Sequence, residues 1–332
     1  MKNINISLMH YTNEEFEEKI IKKFIKDINN INMIQDYIIL ESIEECEKMI
    51  SDTFYDNNKL SDKSTGEFSF LIDKKYLLIA KNDCLKNIFK EIYKFTLYLS
   101  KNVQITESFI LNNVKEILSI INLILIFNDN ITFYSLKKKI LLLFLKNDQK
   151  NLDEIILSEY HFTCTKNKKC RKSLISWDYK YFLYENFQSN IHLQKENNKS
   201  YSILNLLKEE INLIGIKEGI FYENEFILND LEINNEINIE QSRNYHMWTY
   251  LKKVFDNINK EGKILILLFA FLLLRKCSFD YSAFTFIVNT KNKNPLSKEQ
   301  IKKLIDNLKK SCVIKYDEHK CYIDDIDKFI LY

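Results

Sequence analysis

Apolar residues recur every three or four positions along most of the chain, which is the period of an amphipathic α-helix. From residue 67 onward this pattern predicts helices almost without interruption. The predicted segments are 68–99 (as one or two helices), 106–127, 131–147, 151–162, 173–188, 201–219, 244–258, 263–276, 280–289 and 297–311. The segment 106–127 is nearly all apolar from Ile117 to Phe127, so we expect it to be buried on several sides.

The first 66 residues have a different pattern, which predicts an N-terminal helical extension that ends in a polar loop. Capping boxes that begin at Thr12 and Ser42 each precede an apolar stripe and predict two helices. The apolar residues 37–40 between them form either a short strand or a linker. Residues 56–66 are polar and predict the loop.

Two later segments, 189–200 and 221–241, lack helical periodicity and are rich in Asn and Glu. We interpret both as loop insertions within a helical region that spans residues 67–292. The remaining residues, 293–332, combine one helix with two short apolar runs within 312–323. These runs predict a small C-terminal β-hairpin.

Four of the predicted helix starts share one pattern, in which an aromatic residue lies about one helical turn after a polar capping residue. The four aromatic residues are Tyr134, Trp177, Trp248 and Phe284. They recur at intervals of 43, 71 and 36 residues, and the second interval approaches the other two once the polar insertions before Trp248 are removed. The repeat unit is thus roughly 35–40 residues, a size typical of helical solenoids. Another helix precedes each of them. The sequence therefore predicts an all-α fold, a right-handed superhelical solenoid of helical hairpins.

The composition supports helices and gives no electrostatic case for a polyanionic partner. The chain has only four Gly and one Pro, whereas an all-β or doubly wound protein of 332 residues needs many tight turns. The net charge is +2, from 48 basic and 46 acidic residues. Neither a nucleic acid nor a membrane surface is therefore an expected partner.

The cysteines and the longest apolar run indicate in which cellular compartment the protein is expected. Seven Cys occur without regular spacing, and the start of the sequence carries no secretory signal, so we expect mostly reduced thiols. The apolar run Ile264–Leu274 is shorter than the roughly 20 residues that span a bilayer. We expect no transmembrane segment and a cytoplasmic protein.

The sequence does not predict a metal site or a phosphate-binding loop. Two groups of potential ligands lie close in sequence: His161, Cys164 and Cys170, and Cys312, His319 and Cys321. Neither group has the paired Cys-x-x-Cys spacing of structural zinc sites. Four Gly cannot supply a Gly-rich phosphate loop.

The third copy of the repeat, with Asn244-Tyr245 followed by Trp248, resembles the repeat of protein prenyltransferase α-subunits. The likeness is nearest to the divergent branch known as protein prenyltransferase α-subunit repeat-containing proteins, and it extends over about residues 70–290. The family has an Arg three residues after the aromatic residue. The corresponding residues of this chain are Lys137, Lys180, Leu251 and Ile287.

The resemblance implies an α-subunit of a heterodimeric protein prenyltransferase, which transfers a geranylgeranyl or farnesyl group to a substrate cysteine. In this family the α chain is a crescent of helical hairpins wrapped around a β-subunit. The β-subunit carries the zinc and most of the isoprenoid pocket, and some members also use Mg²⁺ at the diphosphate. The implied partners are thus a β-subunit, an isoprenoid diphosphate and a cysteine-containing protein, and the chain itself is expected to bind no cofactor.

The resemblance also implies three site residues. Lys172 corresponds to a family Lys that neutralises charge on the isoprenoid diphosphate, and Tyr245 and His246 correspond to a pair that contacts the diphosphate or the edge of the substrate site. The family has a Tyr two residues after the Lys, and this chain has Leu174 there. Each residue also has an ordinary structural role open to it: a solvated helix start for Lys172, repeat packing for Tyr245 and an exposed position after a cap for His246.

Two other functions remain open from the sequence. One is a non-catalytic helical-repeat scaffold, which Leu174 and the replaced Arg residues favour. The other is an assembly subunit of a large complex, in which the helix 297–311 and the hairpin 312–323 form a winged-helix-like piece.

Overall fold

The computed structural model describes residues 36–40, 70–73, 76–80, 83–101, 107–147, 151–188, 202–221, 224–240, 244–277 and 280–313. The predicted helices that follow Thr12 and Ser42, the polar loop 56–66 and the insertion 189–200 lie outside these residues. So does all of the predicted C-terminal hairpin except Cys312 and Val313, which are helical.

A small sheet precedes the helices. Its strands are β1 (Asp36–Leu40), β2 (Phe70–Asp73) and β3 (Tyr76–Ala80), in the order β1-β3-β2. Strand β3 is parallel to β1 and antiparallel to β2. Residues 37–40 are thus a strand rather than a linker, and the prediction of helix over 70–80 is wrong. Periodicity cannot separate strand from helix in apolar runs of four or five residues.

Twelve helices follow in the part of the chain that the structure describes. They are α1 (Asp83–Lys101), α2 (Glu107–Asn112), α3 (Val114–Phe127), α4 (Ile131–Lys146), α5 (Leu152–Lys169), α6 (Leu174–Phe187), α7 (Ser202–Ile214), α8 (Glu225–Glu240), α9 (Tyr245–Asn257), α10 (Lys260–Lys276), α11 (Tyr281–Thr290) and α12 (Lys298–Val313). Short 3₁₀ turns occupy Glu218–Phe221 and Lys291–Lys293. The predicted all-α class is confirmed over residues 83–313, and the superhelix stays a prediction. None of the helices described is both long and apolar enough to cross a membrane.

The chain divides into two compact units, residues 1–166 and 167–332. In the first unit α3 is the central helix, because every residue from Ile117 to Ile126 is buried and both α1 and α4 pack on it. The single helix predicted over 106–127 is interrupted at Asn113. The side-chain amide of Asn113 donates to the carbonyl oxygen of Phe109 at 2.7 Å, which satisfies an acceptor at the break.

In the second unit α10 is the central helix, and all its residues from Ile264 to Leu274 are buried, as predicted for a core helix. The other helices form two layers. Helix α9 packs on α6 and on α11, and these three make one layer. Helices α7, α8 and α12 pack on α10 and make the other.

Helices α6 and α9 run parallel. The rings of Trp177 and Tyr250 lie 5.6 Å apart, and the next contact along both helices joins Asp178 to Lys253 at 2.9 Å. A third contact joins the Tyr181 hydroxyl to Asn257 at 3.0 Å. Since positions increase together along both helices, their N-terminal ends lie at the same end of the layer.

Helix α11 continues the same parallel arrangement on the other side of α9. The ring of Trp248 lies 5.1 Å from that of Phe286, and Asp256 pairs with Lys293 at 2.6 Å just beyond the end of α11. The first layer of the second unit is therefore a row of three parallel helices with their N-terminal ends together.

Segment 221–241, which the pattern predicts to be a loop insertion, contains helix α8, so this prediction is wrong. Its apolar residues Ile227, Leu231 and Ile237 are buried at helical spacing. Several other core-facing positions of α8 are Asn, namely Asn234, Asn235 and Asn238, which are also buried. Because these amides replace apolar residues, the hydrophobic periodicity is hidden in the sequence.

Candidate functional site

The first part of the candidate site is the start of α6. Ser173 caps this helix and accepts a hydrogen bond from the backbone N–H of Ser176 at 3.2 Å. The indole N–H of Trp177 donates to the carbonyl oxygen of Arg171 at 2.9 Å, which fixes the backbone directly before Lys172. Lys172 is exposed and makes no ion pair with any residue that the structure describes. Its ammonium group is therefore available to a ligand.

The second part is the start of α9. Asn244 is the N-cap, as predicted, and accepts from the backbone N–H of Met247 at 3.1 Å. Tyr245, the first helical residue, is 66% exposed, and its ring meets the edge of the His246 ring at 5.7 Å. The two side chains thus form a contiguous pair at the helix start.

His246 is half-buried and has a ring nitrogen without a hydrogen-bond partner among the described residues. Its Nδ1 is buried and has no hydrogen-bond partner among the described residues. Burial lowers the pKa of His246, because desolvation disfavours the imidazolium. The neutral ring is therefore favoured at neutral pH, and it retains one N–H to donate and one nitrogen to accept.

The parallel packing of α6 and α9 brings the three predicted site residues to one end of the layer. Lys172 precedes the first turn of α6, and Tyr245 and His246 begin α9. The sequence separates these two groups by more than 70 positions, and the fold brings them to neighbouring helix ends.

The N-terminal ends of α6 and α9 favour the binding of an anion. The first turns of α6, α9 and α11 contain no acidic residue, whereas those of α10 and α12 contain Glu261 and Glu299. A helix N-terminus presents free backbone N–H groups and the positive end of the helix dipole. The ends of α6 and α9 have no carboxylate cap and can stabilise a negative group, and the ammonium of Lys172 adds a full positive charge. The end of α11 differs, because the carboxylate of Asp280 already accepts from two of its N–H groups.

An exposed apolar row crosses the same end of the layer. It consists of the first helical residues of α6, α9 and α11, namely Leu174, Tyr245 and Tyr281, which are 55%, 66% and 60% exposed. We call these three residues the N-terminal row. In the other compact unit, Ile131 holds the same position of the repeat and is 66% exposed. Contiguous exposed apolar surface is typical of a site that contacts another molecule.

Tyr281 and the N-terminal row were not predicted from the sequence. The signal that indicates them is the residue that directly follows each N-cap when the four repeat copies are aligned. This residue is large and apolar in every copy, and helix periodicity places it away from the core.

The aromatic residues of the repeat hold the helices together. Tyr134, Trp177 and Trp248 are buried, and Phe284 is half-buried. The ring of Trp248 lies 6.0 Å from Phe269 and 5.1 Å from Phe286, so it joins α9 to α10 and α11.

The position at which the family has Arg is occupied by two different types of residue in this chain. Lys137 and Lys180 are fully buried and pair with Glu159 at 2.6 Å and Asp230 at 2.5 Å. In the last two copies, Leu251 and Ile287 occupy the position and are 1% and 0% exposed. The first two copies thus have buried ion pairs where the last two have apolar packing.

The residues that the structure describes hold no metal cluster, and the cavity found in the second unit is lined by residues other than the three site residues. In the described ranges, no group of three or more His, Cys, Asp or Glu side chains is arranged to hold a metal ion. A cavity of about 370 Å³ opens beside Lys217, Lys260 and Gln300. None of the three site residues lines that cavity.

No protein-family model matches the sequence, and no curated protein matches it. The functional argument therefore depends on the residues and their geometry.

Proposed function

We propose that this chain is the α-subunit of a heterodimeric protein prenyltransferase, which transfers a geranylgeranyl or farnesyl group to a cysteine of a protein substrate. The observation that carries this proposal is the parallel packing of α6 and α9, which brings Lys172 to the same end as Tyr245 and His246. These are the residues that the family resemblance selects, and the helix ends around them favour an anion.

Each site residue has a role in this proposal. The cysteine sulfur attacks C1 of the isoprenoid, the bond from C1 to the diphosphate oxygen breaks, and the diphosphate leaves with the electron pair. Lys172 neutralises part of the charge that develops on the leaving diphosphate. The Tyr245 hydroxyl and the neutral His246 ring donate hydrogen bonds to its oxygens. The N-terminal ends of α6 and α9 add backbone N–H groups and dipole stabilisation.

The proposal requires a partner chain. Zinc bound by the β-subunit would lower the pKa of the substrate thiol so that the thiolate forms near neutral pH. The exposed N-terminal row supports such a partner, because Leu174, Tyr245 and Tyr281 present apolar surface beside the proposed diphosphate contacts.

The alternative is a non-catalytic scaffold that uses the same helix ends to bind a partner protein. Leu174 favours it, because an exposed apolar side chain holds the position of a hydrogen-bonding Tyr in the family. A scaffold uses the N-terminal row to bind its partner, and this binding does not require Lys172 or His246.

The test is co-expression with candidate β-subunits, followed by a prenyl-transfer assay on the purified complex. Lys172→Ala and His246→Ala should each lower kcat/KM by about 100- to 1,000-fold, the range for losing one stabilising contact to a developing anion. Lys252→Ala is the matched control, since Lys252 is an exposed lysine on α9 away from its first turn. A stable, active complex in which all three variants turn over like the wild type would remove the site assignment. A stable complex without transfer activity would favour the scaffold, and the absence of any β complex would overturn the proposal.

A further inference from the structure

We infer that Asp230 is a positioning residue that fixes α6 and α9 in the register needed at their N-terminal ends. This inference rests on the proposed function, since it concerns the separation between Lys172 and the pair Tyr245–His246. Asp230 lies on α8, the helix that the hydrophobic pattern does not reveal. It is 1% exposed, so it acts through other side chains and not by touching a ligand.

The carboxylate of Asp230 bonds to both helices. Its Oδ1 lies 2.5 Å from the ammonium nitrogen of Lys180 on α6. Its Oδ2 accepts from the hydroxyl of Tyr250 on α9 at 2.9 Å and from the side-chain amide of Asn234 at 3.3 Å. One buried carboxylate therefore connects the two helices that carry the candidate site.

Two aromatic rings, one on each of the connected helices, also contact the ammonium group of Lys180. The ammonium nitrogen of Lys180 lies 4.9 Å from the centre of the Tyr250 ring and 5.3 Å from that of Trp177. Lys180, Tyr250 and Trp177 are each at most 2% exposed. Sliding α6 along α9, or rotating one against the other, would break a bond to Asp230 and leave a charge or a hydroxyl buried without its partner. The arrangement therefore resists changes of register.

The other compact unit provides a matched network without this connection. There Lys137 pairs with Glu159 at 2.6 Å, and Asn122 donates to Glu159 at 2.9 Å. The network is as deeply buried as that of Asp230, but it joins α4 to α5 and α3. None of these helices carries Lys172, Tyr245 or His246. Glu159 is therefore a control for the general cost of disturbing a buried ion pair.

The experiment compares Tyr250→Phe, Asp230→Asn and Glu159→Gln in the complex with the β-subunit, at a temperature where each is folded. A variant that is merely less stable loses active fraction and apparent kcat. A displaced contact also raises KM for the isoprenoid diphosphate, because the diphosphate is already anionic when it binds. We expect Tyr250→Phe and Asp230→Asn to raise this KM by about 10-fold or more, since small misplacements of binding groups have large effects. Glu159→Gln should leave it within about twofold, because its network positions no site residue. Unchanged KM in Tyr250→Phe, which keeps the Lys180 pair and is the milder change, would overturn the inference.

A distance measurement separates failure of this inference from failure of the proposed function. Spin labels introduced by a cysteine-independent method at positions 172 and 245 report the separation of the two helix starts in the chain without its partner. We expect Tyr250→Phe and Asp230→Asn to broaden the distance distribution and Glu159→Gln to leave it unchanged. If the complex shows no prenyl transfer but the distribution broadens, the proposed function fails and the positioning role of Asp230 stands. If transfer occurs and neither KM nor the distribution changes, the positioning role fails and the proposed function stands.

Discussion

Lys137 and Glu159 form an ion pair of 2.6 Å in which both side chains are at most 2% exposed. The side-chain oxygen of Asn122 accepts from the same ammonium at 2.5 Å. Burial lowers the pKa of Lys137, and the nearby charge and hydrogen bond of Glu159 oppose this effect. Each charge therefore stabilises the other, because the buried site disfavours either charge without its partner.

The first prediction concerns removal of one member of this pair. Glu159→Gln should destabilise the fold by about 3–5 kcal/mol, because the ammonium of Lys137 stays buried without its counter-charge. The double variant Lys137→Met with Glu159→Leu should recover most of that loss, since both charges are then absent. Urea unfolding followed by circular dichroism gives both free energies of unfolding. A double variant as unstable as Glu159→Gln would contradict the assignment of the loss to an unpaired charge.

The second prediction compares the two tryptophans of the repeat. Trp177 donates its indole N–H to the carbonyl oxygen of Arg171 at 2.9 Å. The buried indole N–H of Trp248 has no partner among the residues described. Trp177→Phe should therefore destabilise the fold by about 1 kcal/mol more than Trp248→Phe, the net value of one hydrogen bond. Equal losses in thermal or urea unfolding would show that the indole hydrogen bond of Trp177 does not contribute.

The third prediction concerns the helix caps. Asp280 is fully buried and its Oδ1 accepts from the backbone N–H groups of Ser282 and Ala283, both at 3.1 Å. Asp280→Ala should destabilise the fold by about 1–2 kcal/mol, since two N–H groups at the start of α11 lose their acceptor. Asp280→Ser keeps one acceptor and should cost less. An equal loss of unfolding free energy in the two variants would contradict a capping role.

The fourth prediction concerns pH. Because burial lowers the pKa of His246 below its ordinary value of 6.5, the unfolded chain binds a proton at this residue at a higher pH than the folded chain does. The contribution of His246 to stability is therefore present above about pH 6.5 and is lost as pH falls through the window between that value and the folded pKa.

The measurement is the difference in unfolding free energy between the wild type and His246→Gln at about pH 7.5 and about pH 5.5. The wild type should lose more stability than the variant on acidification. The pKa of Glu210 is raised by burial, which makes its contribution fall as pH rises, so the comparison with the variant is needed to isolate His246. A pH dependence identical in the two proteins would contradict the assignment.

Local patterns predicted three helices of the second unit closely. Segments predicted at 173–188, 244–258 and 280–289 correspond to α6, α9 and α11 within about two residues, because polar caps mark their starts. The side chains of Ser173, Asn244 and Asp280 all accept backbone hydrogen bonds in the first turn.

Long-range pairs were not predictable in the same way. Lys180 and Asp230 are 50 positions apart in sequence, and nothing local indicates that a lysine in the middle of α6 is buried against an aspartate of α8. The Asn residues that face the core of α8 also hide that helix from periodicity. The strands β2 and β3 were missed for another reason, since short continuous apolar runs fit either type of structure.

The predicted site residues came from a resemblance to a family, and the geometry supplies what the resemblance could not. The resemblance selects Lys172, Tyr245 and His246 without showing that they lie at one end of a helical layer. The parallel contacts from Trp177–Tyr250 to Tyr181–Asn257 supply that relation.

The most direct test of the account is a mass measurement on a cysteine-containing acceptor peptide. The peptide is incubated with a purified complex of this chain and a candidate β-subunit, together with geranylgeranyl or farnesyl diphosphate. We expect the peptide to gain the mass of one isoprenoid group on its cysteine, and the gain to be slower with Lys172→Ala than with Lys252→Ala. A stable complex that leaves the peptide mass unchanged with either diphosphate would contradict the proposed enzymatic function.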